Sequence, residues 1–147
     1  MLYRAGNGGL EVLLVHPGGP FWAKKDLGAW SIPKGEYEPD EDPLACALRE
    51  FEEETGTRLQ PDALVELGAV VQKAGKEVTA WAARGDLDPA SVRSNSFEME
   101  WPPRSGRRQA FPEIDRAEWF TVDEARARLV AAHVELLDRL VERVIIG

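Results

Sequence analysis

The chain has 147 residues, enough for a single domain spanning 1–147 with one buried core and too few for two. Hydrophobic residues make up 44% and charged residues 30%, which is too apolar for a disordered chain. The 18 Lys and Arg against 26 Asp and Glu leave a net charge of -8, which argues against binding a nucleic-acid polymer through a broad basic face.

From the N-terminus, the apolar run from Leu10 to His16 reads as a buried strand, stopped by Pro17-Gly18-Gly19-Pro20. Ala29 to Ile32 reads as a second short strand ended by Pro33. Asp42-Pro43 opens a helix with an acidic cap and a proline at the first position. That helix is expected to run to about Thr55, where Gly56 supplies a left-handed stop. Val65 to Lys73 and Lys76 to Arg84 form an expected hairpin around Ala74-Gly75. Residues 85 to 113, rich in Pro, Ser, Arg and Asp, read as a long loop around a short strand near Phe97 to Trp101. Ala117 to Phe120 gives a last strand. Thr121-x-x-Glu124 is a capping box, and Leu136, Leu137, Leu140, Val141 and Val144 place an apolar stripe on a C-terminal helix. The mixture of elements predicts an α/β fold, with a mixed sheet covered by helices on both faces.

The lone cysteine, Cys46, rules out an intrachain disulfide and a cysteine-based zinc site. His16 and His133 are too few for a histidine-rich metal site. No apolar run approaches the ~20 residues of a membrane span, and the first residues lack a secretory pattern, so a cytoplasmic protein without membrane partners is expected. The sequence holds no internal repeat and no low-complexity tract.

The acidity is local. Nine acids and one base, Arg49, fall between Glu36 and Glu54, so that stretch alone carries -8 while the other 17 acids and 17 bases cancel. Placed at about 100° per residue, Leu44, Ala47, Leu48 and Phe51 form one stripe of the predicted helix, with Glu50, Glu53 and Glu54 on the opposite side. Three clustered carboxylates repel by a few tenths of a kcal/mol per pair unless a counter-charge relieves them. Oxygen donors of this kind suit Mg2+ or Mn2+. On spacing alone, a solvated acidic face is the simpler account.

The surrounding residues decide the matter. Gly35, Glu41, Arg49, Glu50, Glu53, Glu54 and Gly56 stand at the spacing Gly-x5-Glu-x7-Arg-Glu-x2-Glu-Glu-x-Gly, which resembles the signature of the Nudix hydrolases. At roughly 6–7% usage per residue type, seven matches arise by chance on the order of once in 10⁸ positions. Thr57 departs from the aliphatic residue preferred there, a packing position. The resemblance implies a Nudix-type α/β/α sandwich and metal-dependent hydrolysis of a phosphoanhydride in a nucleoside diphosphate linked to another moiety. It also implies that Glu50, Glu53, Glu54 and the carbonyl of Gly35 hold the metal, that Glu41 supports that shell, and that Arg49 orients the carboxylates. Glu53 or Glu54 could act as the base, or a carboxylate from outside the box could, and the sequence does not settle which. Homodimerisation is common in the family, and the sequence decides neither way.

The lead-in Trp30-Ser31-Ile32-Pro33-Lys34-Gly35 looks like the dinucleoside polyphosphate and diphosphoinositol polyphosphate branches, with Lys34 either a phosphate contact or a surface lysine. The proline of ADP-ribose members, the tyrosine of diadenosine tetraphosphate members and the coenzyme A pattern are missing from Val71 to Gly75 and its surroundings. In the segment from Phe97 to Glu113, Glu100 is the first choice for a carboxylate outside the box and Glu98 the reserve. Arg104, Arg107 and Arg108 would receive outer phosphates. Trp101 either stacks on a base or packs in the protein. Cys46 is expected on the acidic face near the metal or as a filler, His16 as a structural or substrate-facing histidine, and Lys24 and Lys25 as solvated or phosphate-facing lysines. A small nucleotide or polyphosphate substrate is expected, most simply a dinucleoside polyphosphate. The alternatives are a nucleoside triphosphate, a diphosphoinositol polyphosphate or a capped RNA end. A nucleotide-sensing module without catalysis would usually lose a box carboxylate, and none is lost.

Overall fold

A computed structural model describes residues 1–6, 9–32, 42–55, 58, 64–71, 75, 77–94 and 96–146, with the backbone alone at 54, 55, 145 and 146. Its strands are β1 (Leu2–Gly6), β2 (Gly9–Pro17), β3 (Val65–Val71), β4 (Glu77–Arg84), β5 (Ser96–Glu100), β6 (Arg108–Pro112) and β7 (Ile114–Thr121). The helices are α1 (Pro43–Thr55), α2 (Val122–Arg128) and α3 (Ala131–Ile146). Among the described residues, no helix is long and apolar enough to cross a membrane.

The apolar run in β2 explains its place. Val12 to His16 are all buried, without the alternation of a strand that has one wet face. The main sheet has the order β3-β4-β1-β2-β7, so β2 has a neighbour on either side. Val12 and Leu14 point into one core with Leu136, Leu137 and Leu140, on the side of α2 and α3. Leu13 and Val15 point into a second core against which Phe51 of α1 packs. Helices therefore cover both faces. The sheet is mixed, because β1 runs parallel to β4 while the other pairs are antiparallel.

The β3–β4 hairpin forms as its periodicity predicts, with a register shift between Glu66 and Gly68. Arg139 of α3 caps this irregularity, donating to the carbonyls of Leu67 at 2.8 Å and Ala69 at 3.1 Å. The capping box at Thr121 is present, with the Thr121 hydroxyl accepting from the Glu124 amide. The Thr121 hydroxyl and amide hold the Glu124 carboxyl below its ordinary range.

Four expectations need correction. Residues 29–32 do not form a strand: Ser31 bridges Val15 and Trp30 bridges Leu129. Trp30 pins this stretch instead, buried edge-on against His16 and Phe120 with its indole N–H donated to Asp26. The N-terminal strand β1 was hidden by its polar Arg4, which pairs with Glu11 and Asp86. The last strand starts earlier than Ala117, because Ile114 and Arg116 also pair with β2. The long loop at 85 to 113 contains a second two-stranded sheet, β5 with β6, running from the Ser96–Pro112 pair to Glu100–Arg108. Arg108-Gln109-Ala110 is exposed, so Phe111 is the one large apolar residue that β6 offers as a signal.

That hairpin is seated on the chain leaving β2. The Gly18 amide donates to the Glu113 carbonyl at 2.9 Å. A Cβ at Gly18 would run into the Pro112 carbonyl oxygen, and one at Gly19, where φ is +95°, would lie 2.8 Å from the Phe97 ring. The Pro-Gly-Gly-Pro run is thus a docking strip as well as a strand stop. Gly18→Ala should cost about 1–3 kcal/mol of stability in urea unfolding, the usual cost of overpacking against backbone.

Candidate functional site

Helix α1 carries the acidic residues. Glu50 is half-buried with its carboxylate 3.6 Å from the Arg49 guanidinium, while Glu53 is exposed. Arg49 also donates to Cys46 Sγ at 3.5 Å. Phe51 of the expected apolar stripe packs against the second core and Leu44, Ala47 and Leu48 are half-buried, while Cys46, on the acidic side, is buried. Cys46 therefore fills space against the body of the protein, and Glu50, one turn on, comes to lie partly sheltered beside it. Glu54 is placed on α1 by its backbone. Its side chain, together with Pro33, Lys34, Gly35, Glu41, Gly56 and Thr57, lies outside the described residues. Among the described residues, no three His, Cys, Asp or Glu side chains converge as a metal site. The expected ligand set draws on Gly35 and Glu54, beyond that description.

The second group of expected residues lies on the β5–β6 hairpin. Glu100 is exposed and accepts from the Gly106 amide at 3.2 Å, closing its own turn. Glu98 faces Arg108 at 3.7 Å. Arg104 and Arg107 are exposed in the connection between the strands, Arg104 with φ 61°. Trp101 is half-buried and meets Phe21 edge-on, ring centres 5.9 Å apart.

His16 is structural. It is fully buried, with Nδ1 2.8 Å from an Asp115 oxygen and Nε2 2.6 Å from the Lys25 carbonyl. It thereby ties the loop after β2 to β7. Lys25 extends from that loop over the Trp22 ring, 5.1 Å from its centre.

Between this loop and the hairpin lies a cleft of about 400 Å³, within the range of small-ligand sites. Phe21, Trp22, Phe97, Met99 and Glu113 line it over the backbone of Gly18 and Gly19. Phe97 to Glu113 stood out in the sequence, but Phe21 and Trp22 did not. The available signal was a pair of large aromatics directly after Pro-Gly-Gly-Pro, where exposed chain is expected.

A mixed sheet between helices, with a carboxylate-bearing helix on one face, defines an α/β/α sandwich of the Nudix type. The NUDIX domain family model matches residues 1–140, and the chain belongs to that family. An mRNA-decapping protein of African swine fever virus is 67% identical over 27 residues, 18% of this chain and 11% of its own length. A MutT-like protein of Streptomyces ambofaciens is 29% identical over 118 residues, 80% of this chain and 64% of its own. The chain thus spans about a tenth of the viral relative and under two thirds of the bacterial one. Among solved structures, a C. elegans Ap4A hydrolase binary complex has a TM-score of 0.65 at 22% identity, covering 99% of this chain and 96% of that one. That likeness speaks for the fold.

Proposed function

We propose that the chain is a divalent-metal-dependent pyrophosphohydrolase that cleaves a phosphoanhydride bond in a nucleotide, with a dinucleoside polyphosphate as the favoured substrate. The observation that carries this reading is the placement of Glu50 and Glu53 one turn apart on α1, with Arg49 beside Glu50, in the frame of a complete Nudix signature. The donor set fits the implied ion: carboxylate oxygens without thiolate or imidazole suit Mg2+ or Mn2+. Glu50, Glu53, Glu54 and the Gly35 carbonyl would hold it, with Glu41 in support. When bound, the metal neutralises phosphate oxygens and lowers the pKa of water.

The rest falls to the chain's own side chains. Arg49 fixes the Glu50 carboxylate, a positioning task. A water oxygen bonds to phosphorus, the bond to the bridging oxygen breaks, and a carboxylate of Glu53, Glu54 or Glu100 takes the water's proton. Lys34, Arg104 and Arg107 receive outer phosphates, and Trp101 stacks on a base. The preference for a dinucleoside polyphosphate is supported by the Pro33-Lys34-Gly35 lead-in. The structural neighbour named as an Ap4A hydrolase is consistent with it.

The test is a panel of phosphoanhydrides incubated with Mg2+ or Mn2+: dinucleoside polyphosphates, nucleoside triphosphates, a nucleoside diphosphate sugar and a diphosphoinositol polyphosphate, with products followed by phosphorus NMR. Cleavage of at least one nucleotide is expected, fastest for a dinucleoside polyphosphate. Failure with every compound, at any metal concentration, would sink the enzymatic reading, and tight nucleotide binding without product would establish a sensing module instead.

A further inference from the structure

The cleft between the β2 loop and the β5–β6 hairpin has the wrong chemistry for phosphate. Its lining residues include Phe21, Trp22, Phe97 and Met99. The one charged residue among its described lining residues is Glu113, an acid, whose carboxylate would repel an anion. Such walls suit a flat π-system, because aromatic faces and a polarisable sulfur stack on any base. A carboxylate adds direction, since it can only accept hydrogen bonds when ionised.

Among nucleobases that requirement is selective. Guanine presents N1–H and the N2 amine side by side, two donors for the two oxygens of one carboxylate. Adenine presents its N6 amine beside the N1 lone pair, which would face a carboxylate oxygen lone pair to lone pair. Cytosine has the same mismatch, and uracil sets one N–H between two carbonyls. A charge-assisted bidentate pair is available to guanine alone.

The cleft is also built. His16 anchors the loop bearing Phe21 and Trp22 to Asp115, while the Gly18 amide is bonded to the Glu113 carbonyl, so both walls are held before a ligand arrives. Val15 shares a core with Phe51, the neighbour of Glu50, and Gly19 floors the cleft. Four residue steps separate Val15 from Gly19, at most about 14 Å of extended chain. Lys25 and the exposed Arg104 and Arg107 supply cations on the surrounding elements.

We propose that this cleft binds the base of the substrate and that Glu113 makes it prefer guanine to adenine. The proposal deepens the nucleotide-hydrolase reading and rests on it for the phosphate end. Calorimetric titrations with guanosine, inosine and adenosine monophosphates in Mg2+ test it, alongside kcat/KM for diguanosine and diadenosine tetraphosphates. Wild-type protein should prefer guanine about tenfold or more in both measurements, the effect of one good bidentate pair. Inosine, which keeps N1–H and lacks the N2 amine, should fall between. Glu113→Gln should bring the guanine and adenine values within about twofold of each other, because the second acceptor oxygen is lost. Trp22→Ala should weaken both bases about tenfold and leave their ratio intact, as loss of a stacking face does.

Equal affinity of the wild type for guanosine and adenosine monophosphates, or a guanine preference that survives Glu113→Gln, would overturn the proposal. Should Glu113→Gln fail to fold, the wild-type ratios still decide. Cleavage without base preference would remove the guanine site and leave the hydrolase. Guanine-selective binding without cleavage of any anhydride would do the reverse.

Discussion

Replacing Glu53 by glutamine should lower kcat on a phosphoanhydride substrate by at least about a hundredfold, because loss even of a residue supporting a metal ligand typically costs 10–100-fold. Glutamine keeps the size of the side chain and removes its charge. Glu53 is exposed on α1, so the fold should be unaffected, with unfolding in urea shifted by no more than about 0.5 kcal/mol. The measurement is kcat at saturating Mg2+, paired with a denaturation curve on the same preparation. Glu52 is the natural comparison. It is an exposed acid on the same helix, 3.6 Å from Arg58 and outside the signature, and Glu52→Gln should leave kcat within about twofold. A fall in turnover at Glu53 but not Glu52 ties the chemistry to the box. Equal and negligible effects would reduce the acidic helix to a solvated face.

The largest loss of stability should come from β2. Leu13→Ala and Leu14→Ala are each expected to cost about 2–5 kcal/mol, measured from urea midpoints. Both side chains are completely buried although they point to opposite faces of the sheet. Leu14 lies in the core shared with α3 and Leu13 in the core against which α1 packs. Each truncation leaves a cavity between layers that cannot close without moving a helix. Val71→Ala, at the end of strand β3 and 64% exposed, should change stability by less than about 0.5 kcal/mol. If Leu13→Ala were as mild as Val71→Ala, the second core beneath α1 would not contribute as its burial implies.

These expectations also separate what is local in the chain from what is not. The boundaries of α1 and the start of α2 were readable because a cap, a proline and the 3.6-residue period act over a few neighbouring residues. The hairpin of β3 and β4 was readable for a similar reason, its two apolar runs being adjacent. The depth of burial around α1 was not. The period marks Phe51 for the core, where it packs, but how deeply Cys46, Leu44 and Leu48 are covered depends on the surfaces that meet the helix. β6 was not readable because its polar residues are held by pairing with β5 and by the contact of its end with Gly18.

The net charge of -8 follows the same division. Its confinement to residues 36–54, and the spacing of Gly35, Glu50, Glu53 and Glu54 within and beside that stretch, are properties of the sequence by itself. They determine the family and make a small anionic substrate reached through divalent metal the natural expectation, because the residues around the carboxylates complete a signature that helical spacing alone would not. The other half of the candidate site was decided by the tertiary structure. Phe21 and Trp22 meet Phe97, Met99 and Glu113 only after β2, β5 and β6 have taken their places. Hydrophobic contact and close backbone approach act between residues far apart in the chain, and no local period records them.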